Sequence, residues 1–251
     1  MSTDEGSVWP EGYALVTLDE TDSTMAEARR RATGLEGPTW ILAHRQTAGH
    51  GRRGRAWSGG EGNLFATLLY NPACSPAEAA RRSFMAANAL FETLAIYTNR
   101  DALALKWPND VLLNEGKVAG ILLESSGAGP FVDWLTVGIG VNLAEAPPTD
   151  QEMSAKPVSL VGQGGQSVTP EEFLTVLATN FATQESILER LGFARVREEW
   201  LQRATRVGEV ITARTGTAEY RGVFETVDEE GNLVLATTEG PRVIPAADVY
   251  F

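Results

Sequence analysis

Gln46-Thr-Ala-Gly-His-Gly-Arg-Arg-Gly-Arg-Ala-Trp-Ser58 sets Gly49, Gly51 and Gly54 among Arg52, Arg53 and Arg55. Glycine lets a backbone take φ > 0 and come close to a ligand, and guanidinium groups are fixed forks of N–H donors suited to carboxylate and phosphate oxygens. The pattern reads as an anion-handling loop; the plainer alternative is a basic surface loop. Residues 37–60 contain no Asp or Glu, where the chain's average would place about three. Strand-like sequence flanks the loop: 39–46 delivers Gln46 to it and 63–70 leaves it.

Around this loop the chain is globular in composition, 251 residues with 43% hydrophobic and 22% charged side chains, enough for one large or two unequal domains. A formal net charge of −12 argues against a general nucleic-acid binder, which needs a spread basic face. No stretch approaches about eighteen uninterrupted apolar residues, and the N-terminus is acidic where a signal peptide would be basic, so a cytoplasmic protein without a membrane partner is expected. One cysteine, Cys74, excludes an internal disulfide framework, and two histidines, His44 and His50, offer no zinc-ligand spacing.

Before the loop, 14–18 reads as a strand and 22–31 as a helix capped by Asp22 or Ser23, with Glu27 a turn later. Such a corner is either plain capping or a place where hydroxyl and N–H groups meet a polar ligand. Beyond the loop, 75–99 has the apolar spacing of an amphipathic helix. Residues 103–113, broken at Pro108, and 117–124 read as a hairpin with Gly116 as its turn residue, which puts Lys106, Asn109 and Asp110 at a bend. Residues 134–143 form another buried strand. Its Gly138-x-Gly140 is not a dinucleotide fingerprint, because Leu143 stands where a third glycine belongs and no helix follows. A loop-rich stretch, 144–169, precedes two helices, 170–191 and 193–204; four short strands from 209 to 244 then spell a small β-barrel.

Four of these stretches, 46–57, Lys106-Trp-Pro-Asn-Asp110, 117–124 and 138–143, resemble in order and spacing the catalytic domain of biotin protein ligases. The final barrel resembles that family's C-terminal domain. The fold expected is therefore α+β: a mixed β-sheet with helices on one face and the site over its open side (the class II synthetase-like, biotin–lipoate ligase fold), followed by a small SH3-like β-barrel. Domains are expected at 1–204, catalytic, and 205–251.

The resemblance implies an ATP-dependent reaction that turns biotin into biotinyl-5′-AMP, releases pyrophosphate, and passes biotin to a lysine of a biotin carboxyl carrier domain. ATP and Mg²⁺ would serve as co-substrate and ion, biotin as substrate, with no tightly bound prosthetic group. Arg52 and Lys117 would act on the carboxylate and α-phosphate. Ser23, Thr24, Gln46, His50 and Gly51, with Arg52 and Lys117, would bind biotin. Arg53, Arg55, Trp57, Lys106, Asn109, Asp110 and Asn142 would bind the nucleotide, Trp57 covering adenine and Asp110 holding Mg²⁺. Two positions depart from the family pattern. Met25 follows Ser-Thr where a small polar residue is common, and His50 replaces an arginine, which leaves the loop about one charge poorer at neutral pH. Only about a dozen residues precede the first strand, so an N-terminal DNA-binding domain and a DNA partner are not expected. Monomer or homodimer stays open, a sheet edge being the surface that would pair. A lipoate or octanoate protein ligase or transferase, and a catalytically silent binding module, are the alternative readings.

Overall fold

The computed structural model describes residues 8–148 and 155–251. Seven strands form one sheet in the order β1-β2-β3-β7-β6-β5-β4. These are β1 (Ala14–Thr21), β2 (Thr39–Gln46), β3 (Leu64–Tyr70), β4 (Leu103–Lys106), β5 (Asp110–Leu113), β6 (Gly116–Ser126) and β7 (Trp134–Val141). Only β1 and β2 are parallel. A parallel pair needs a crossover, and the short helix α1 (Thr24–Arg31) lies within it.

Strand alternation divides the apolar residues between two faces. Trp40, Leu42, Leu64 and Leu68 pack with α2 (Pro76–Tyr97), α3 (Pro170–Leu191) and α4 (Phe193–Arg203), where Trp40 meets Phe181 edge-on at 5.6 Å. Ile41 and Leu69 face the other way, onto Ala28 of α1. The three longer helices thus share one face, and α1 covers only part of the other, which leaves room there for a site.

Both long helices start as their sequences predict. Ser75 and Thr169 each form a reciprocal capping box with a glutamate, Glu78 and Glu172, and Pro76 and Pro170 occupy the first turn. Beneath them, buried Arg82 of α2 pairs with Glu185 of α3 at 2.8 Å, and Tyr70 of β3 donates to the other Glu185 oxygen at 3.0 Å. Burial beside that carboxylate raises the Tyr70 pKa, so the phenol keeps its proton and the network is satisfied.

The C-terminal strands are β8 (Val210–Arg214), β9 (Glu219–Val227), β10 (Leu233–Thr237), β11 (Gly240–Ile244) and β12 (Asp248–Tyr250), antiparallel in the order β11-β10-β9-β8-β12, an SH3-like arrangement. The strand rhythm predicts four of them. β12, three residues after a Pro-Ala-Ala run, is too short to show a period. This small sheet docks on the large unit through Trp107, whose indole N–H donates to the Gly231 carbonyl at 3.1 Å, and through the Phe84 ring against Gly231. Among the described residues no helix is long and apolar enough to cross a membrane.

Two local expectations are corrected. The β5–β6 turn is made by Asn114 and Glu115, both at positive φ (48° and 65°), while Gly116 lies in the strand because Val158 occupies the space of a side chain there. Ser23 holds the N-cap position of α1 but makes no side-chain cap bond, and Glu27 instead pairs with Arg30 and Arg31.

Arg82→Leu is expected to lower stability by about 3 kcal/mol, since it leaves a buried carboxylate uncompensated, and Arg82→Leu/Glu185→Leu should recover most of that loss. Urea denaturation midpoints of the two variants provide the comparison.

Candidate active site

Over the open face of the sheet lies a cleft of about 690 Å³ between the Gln46–Ser58 loop, the β4–β5 bend and β12. Of the fourteen residues singled out in the sequence, thirteen line it: Ser23, Thr24, Gln46, His50, Gly51, Arg52, Arg55, Trp57, Lys106, Asn109, Asp110, Lys117 and Asn142. Arg53 is the exception and points at Asp248.

The cleft floor is a strip of bare backbone. Gly120 of β6 stands opposite Gly140 of β7, and Gly138 lies two residues along the same strand. A Cβ at Gly140 would overlap the Trp57 indole, one at Gly138 would overlap the Met25 thioether, and one at Gly120 would press on both Trp57 and the Lys117 side chain. This gives Gly138-x-Gly140 its physical reason: the missing side chains make room for groups carried by other elements. Glycines inside apolar strands, costly for pairing, were the available sequence signal.

The loop is folded on itself. His50 bridges to Ala56, the Gly51 N–H donates to the Arg55 carbonyl at 2.7 Å, and the Trp57 N–H donates to the Gly49 carbonyl at 2.9 Å. Of its three glycines only Gly54 takes positive φ (70°), sharing the turn with Arg53 at 56°. Gly49 is required for space, because a side chain there would collide with the Gln46 amide and the Trp57 carbonyl.

At one end of the cleft, Gln46 Oε1 accepts from the Thr24 N–H at 2.8 Å and from its hydroxyl at 3.1 Å. Gln46 thus caps α1 from a neighbouring strand, doing what Ser23 does not. At the other end each cation of the loop already has an internal acceptor. Arg52 reaches the Ala247 carbonyl (3.3 Å) and Asn109 Oδ1 (3.3 Å), and Arg53 (2.7 Å) and Arg55 share Asp248 Oδ2. Lys117 Nζ stands 2.6 Å from Asp110 Oδ1 and 5.3 Å from the centre of the Trp57 ring. Lys106 lies under the Phe251 ring at 4.9 Å, and burial pulls its ammonium down to about 8 against the upward pull of Asp110.

Two expected side chains are partly committed elsewhere. The Asn142 amide nitrogen donates to the Val158 carbonyl at 3.0 Å, which ties the 155–160 segment to the cleft. His50 Nε2 lies 3.6 Å from Glu124, whose other oxygen is 3.5 Å from Arg29. Sequence reasoning missed Asp248 and the Ala247 carbonyl just before it altogether, because β12 was missed. Chemically, the cleft joins a pocket end of neutral donors and acceptors to a cationic end walled by carboxylates, an arrangement that can hold an acid and a polyphosphate side by side.

Comparisons with known proteins agree with this geometry. The biotin/lipoate A/B protein ligase family matches residues 15–142, and the biotin protein ligase C terminal domain matches residues 207–251. The chain is 53% identical over 237 residues to a biotin--[acetyl-CoA-carboxylase] ligase of Paracoccus denitrificans, covering 93% of this chain and 99% of that one. It is 30% identical over 246 residues to the bifunctional ligase/repressor BirA of Bacillus subtilis, covering 95% of this chain and 74% of that one. A biotin protein ligase from Aquifex aeolicus, solved in complex with biotin and ATP, superposes with a TM-score of 0.77 at 26% identity, covering 94% of this chain and 97% of that one. With a family match across half its length and a relative 53% identical over nearly all of it, the chain belongs to the biotin/lipoate A/B protein ligase family.

Proposed function

We propose that this chain is a biotin protein ligase that activates biotin with ATP and transfers it to a lysine of a carboxylase's biotin carrier domain. The observation that carries the reading is the meeting, in one cleft, of a neutral hydrogen-bonding end at Thr24 and Gln46 with a cationic end at Arg52, Lys106 and Lys117. An acid with a polar ring at its far end and a carboxylate at its near end spans such a cleft. Relatives named as biotin ligases favour it over the lipoate alternative.

In the first step a carboxylate oxygen attacks the α-phosphorus, the P–O bond to pyrophosphate breaks, and a mixed anhydride forms. Two anions must approach each other. Arg52 and Lys117 offset that repulsion, and the loop around them keeps water from the anhydride. In the second step the carrier lysine amine attacks the anhydride carbonyl, AMP leaves with the electron pair, and the amide nitrogen gives up a proton. Ser23, Thr24, Gln46, His50 and Gly51 belong to the biotin end; Arg55, Trp57, Lys106, Asn109, Asp110 and Asn142 belong to the nucleotide end, with Arg53 outside the cleft on Asp248.

The internal partners of the cations suit this task. A buried, unpaired cation is costly, so the partly buried Arg52 and Lys117 wait on Ala247 and Asp110 until substrate anions take over, while the more exposed Arg53 and Arg55 pair with Asp248 at the rim. Asp110, once Lys117 turns to the substrate carboxylate, would be the residue to hold Mg²⁺. A single carboxylate suits an ion that arrives on phosphates, and among the described residues no group of three or more His, Cys or acidic side chains could cage a metal without them. Mg²⁺ held there would neutralise phosphate charge. We assign the chemistry to residues 1–204 and the clamping of the loop, through Asp248, to residues 205–251.

Arg52→Ala is expected to lose about 3 kcal/mol of transition-state stabilisation and to leak adenylate into solution. Biotin-dependent ATP–pyrophosphate exchange and free biotinyl-5′-AMP read both effects; exchange driven by lipoate and not by biotin would overturn the substrate.

A pH dependence follows from Lys106. With its pKa lowered to about 8, the free protein loses the ammonium's charge as pH rises through that value, so ATP affinity is expected to hold below about 8 and to weaken above it. Lys106→Met should bind weakly with a flatter profile in calorimetric titrations from about pH 7 to about pH 9. Stability runs the other way. A lysine depressed from 10.5 to about 8 costs stability below about 8, and that cost is relieved as pH climbs toward 10.5.

A further inference from the structure

Thr67 sits in the middle of β3, fully buried, in a strand whose other residues are apolar except for Tyr70 at its end. Its hydroxyl lies 2.8 Å from Thr24 Oγ1, and no step described above uses it. Donor and acceptor chemistry fixes the direction of every hydrogen bond around it. The Thr24 backbone N–H can only donate, so the Gln46 atom it meets at 2.8 Å must be the amide oxygen. That oxygen cannot donate, so the Thr24 hydroxyl, 3.1 Å away, spends its one proton on it. Thr24 then has no proton for Thr67, and Thr67 must be the donor.

The consequence reaches the cleft. Gln46 Oε1 is saturated by two donors, so the two Nε2 protons are what Gln46 has left for a ligand. Among the described residues that nitrogen makes no hydrogen bond. The Thr24 oxygen, having given its proton away and accepted one, keeps a single lone pair.

We propose that Thr67 is a positioning residue for the acid substrate: its buried hydroxyl holds the Thr24 hydroxyl in place and, through it, fixes the polarity that Gln46 presents to the far end of the bound acid. Thr67 touches no substrate; it acts through Thr24 and Gln46. The inference rests on reading this end of the cleft as the acid pocket. The geometry also separates it from an ordinary buried threonine, for which a main-chain carbonyl on the same strand or helix would be the usual partner. Here the partner is a side chain on a different element, lining the site.

The decisive pair is Thr67→Val, which keeps the shape and removes the donor, and Thr67→Ser, which keeps the donor and removes a methyl. In biotin-dependent pyrophosphate exchange, Thr67→Val should raise the KM for biotin about fivefold with kcat little changed, and Thr67→Ser should stay near wild type. In a Gln46→Ala background Thr67→Val should add nothing further, because the relay already ends nowhere. A Thr67→Val enzyme with unchanged KM, equal losses in Thr67→Ser, or additive losses with Gln46→Ala would each overturn the proposal. A readout without substrate separates it from the functional reading: the Gln46 side-chain amide resonances of the ligand-free protein should shift in Thr67→Val and remain in place in Thr67→Ser. Absence of biotin-dependent exchange in the wild type would fall on the functional reading, while unmoved Gln46 resonances in Thr67→Val would fall on the relay alone.

Discussion

The antiparallel register that sets Gly120 directly opposite Gly140 is the constraint on which the site depends. Two glycines side by side, with Gly138 close by, strip the side chains from one patch of an otherwise packed sheet. Onto that patch come the Trp57 ring, the Met25 thioether and the stem of Lys117, each carried by a different element. A slip of one residue would turn the bare strip toward the helices and point the side chains of Ile121 and Ile139 into the cleft instead. The register in turn is held by the opposite face, where a core of Leu, Val and aromatic residues packs against the three longer helices.

Electrostatic balance is the second organising theme. The loop is locally rich in arginine, but the folded protein does not leave it as an unscreened cation. Asp248, from a three-residue strand far along the chain, takes two of its guanidinium groups, and the Ala247 carbonyl takes part of the third. The small C-terminal unit thereby becomes part of the site's charge balance, and the loop's position becomes conditional on how the two units dock. Asp110 does the same for Lys117.

Much of this was legible in the chain. Strand and helix positions followed from periodicity, the start of α3 from Pro170 at its first position, and the gathering of thirteen of fourteen site residues from motifs whose order resembled a known family. What escaped had identifiable reasons. β12 is too short to carry a period, so its Asp248 stayed unseen. Gly116 looked like a turn residue because glycine usually is one, whereas Asn114 and Glu115 carry the positive φ and Val158 fills the space beside Gly116. Ser23 looked like a cap because serine at a helix start usually is one, whereas Gln46 reaches across from β2 to do it.

These cases mark the division. What is local was written in the chain: the elements, their apolar faces, the concentration of arginine and glycine in one loop, and the family that this order of motifs resembles. Those properties depend on neighbours three or four positions apart, or on spacing along the chain. The tertiary structure alone decided which carboxylate neutralises which cation, which glycine makes room for which ring, and which way the hydrogen bonds run from Thr67 to Gln46. Those are meetings of residues distant in sequence, and their partners are chosen by strand register and docking, which no local pattern encodes.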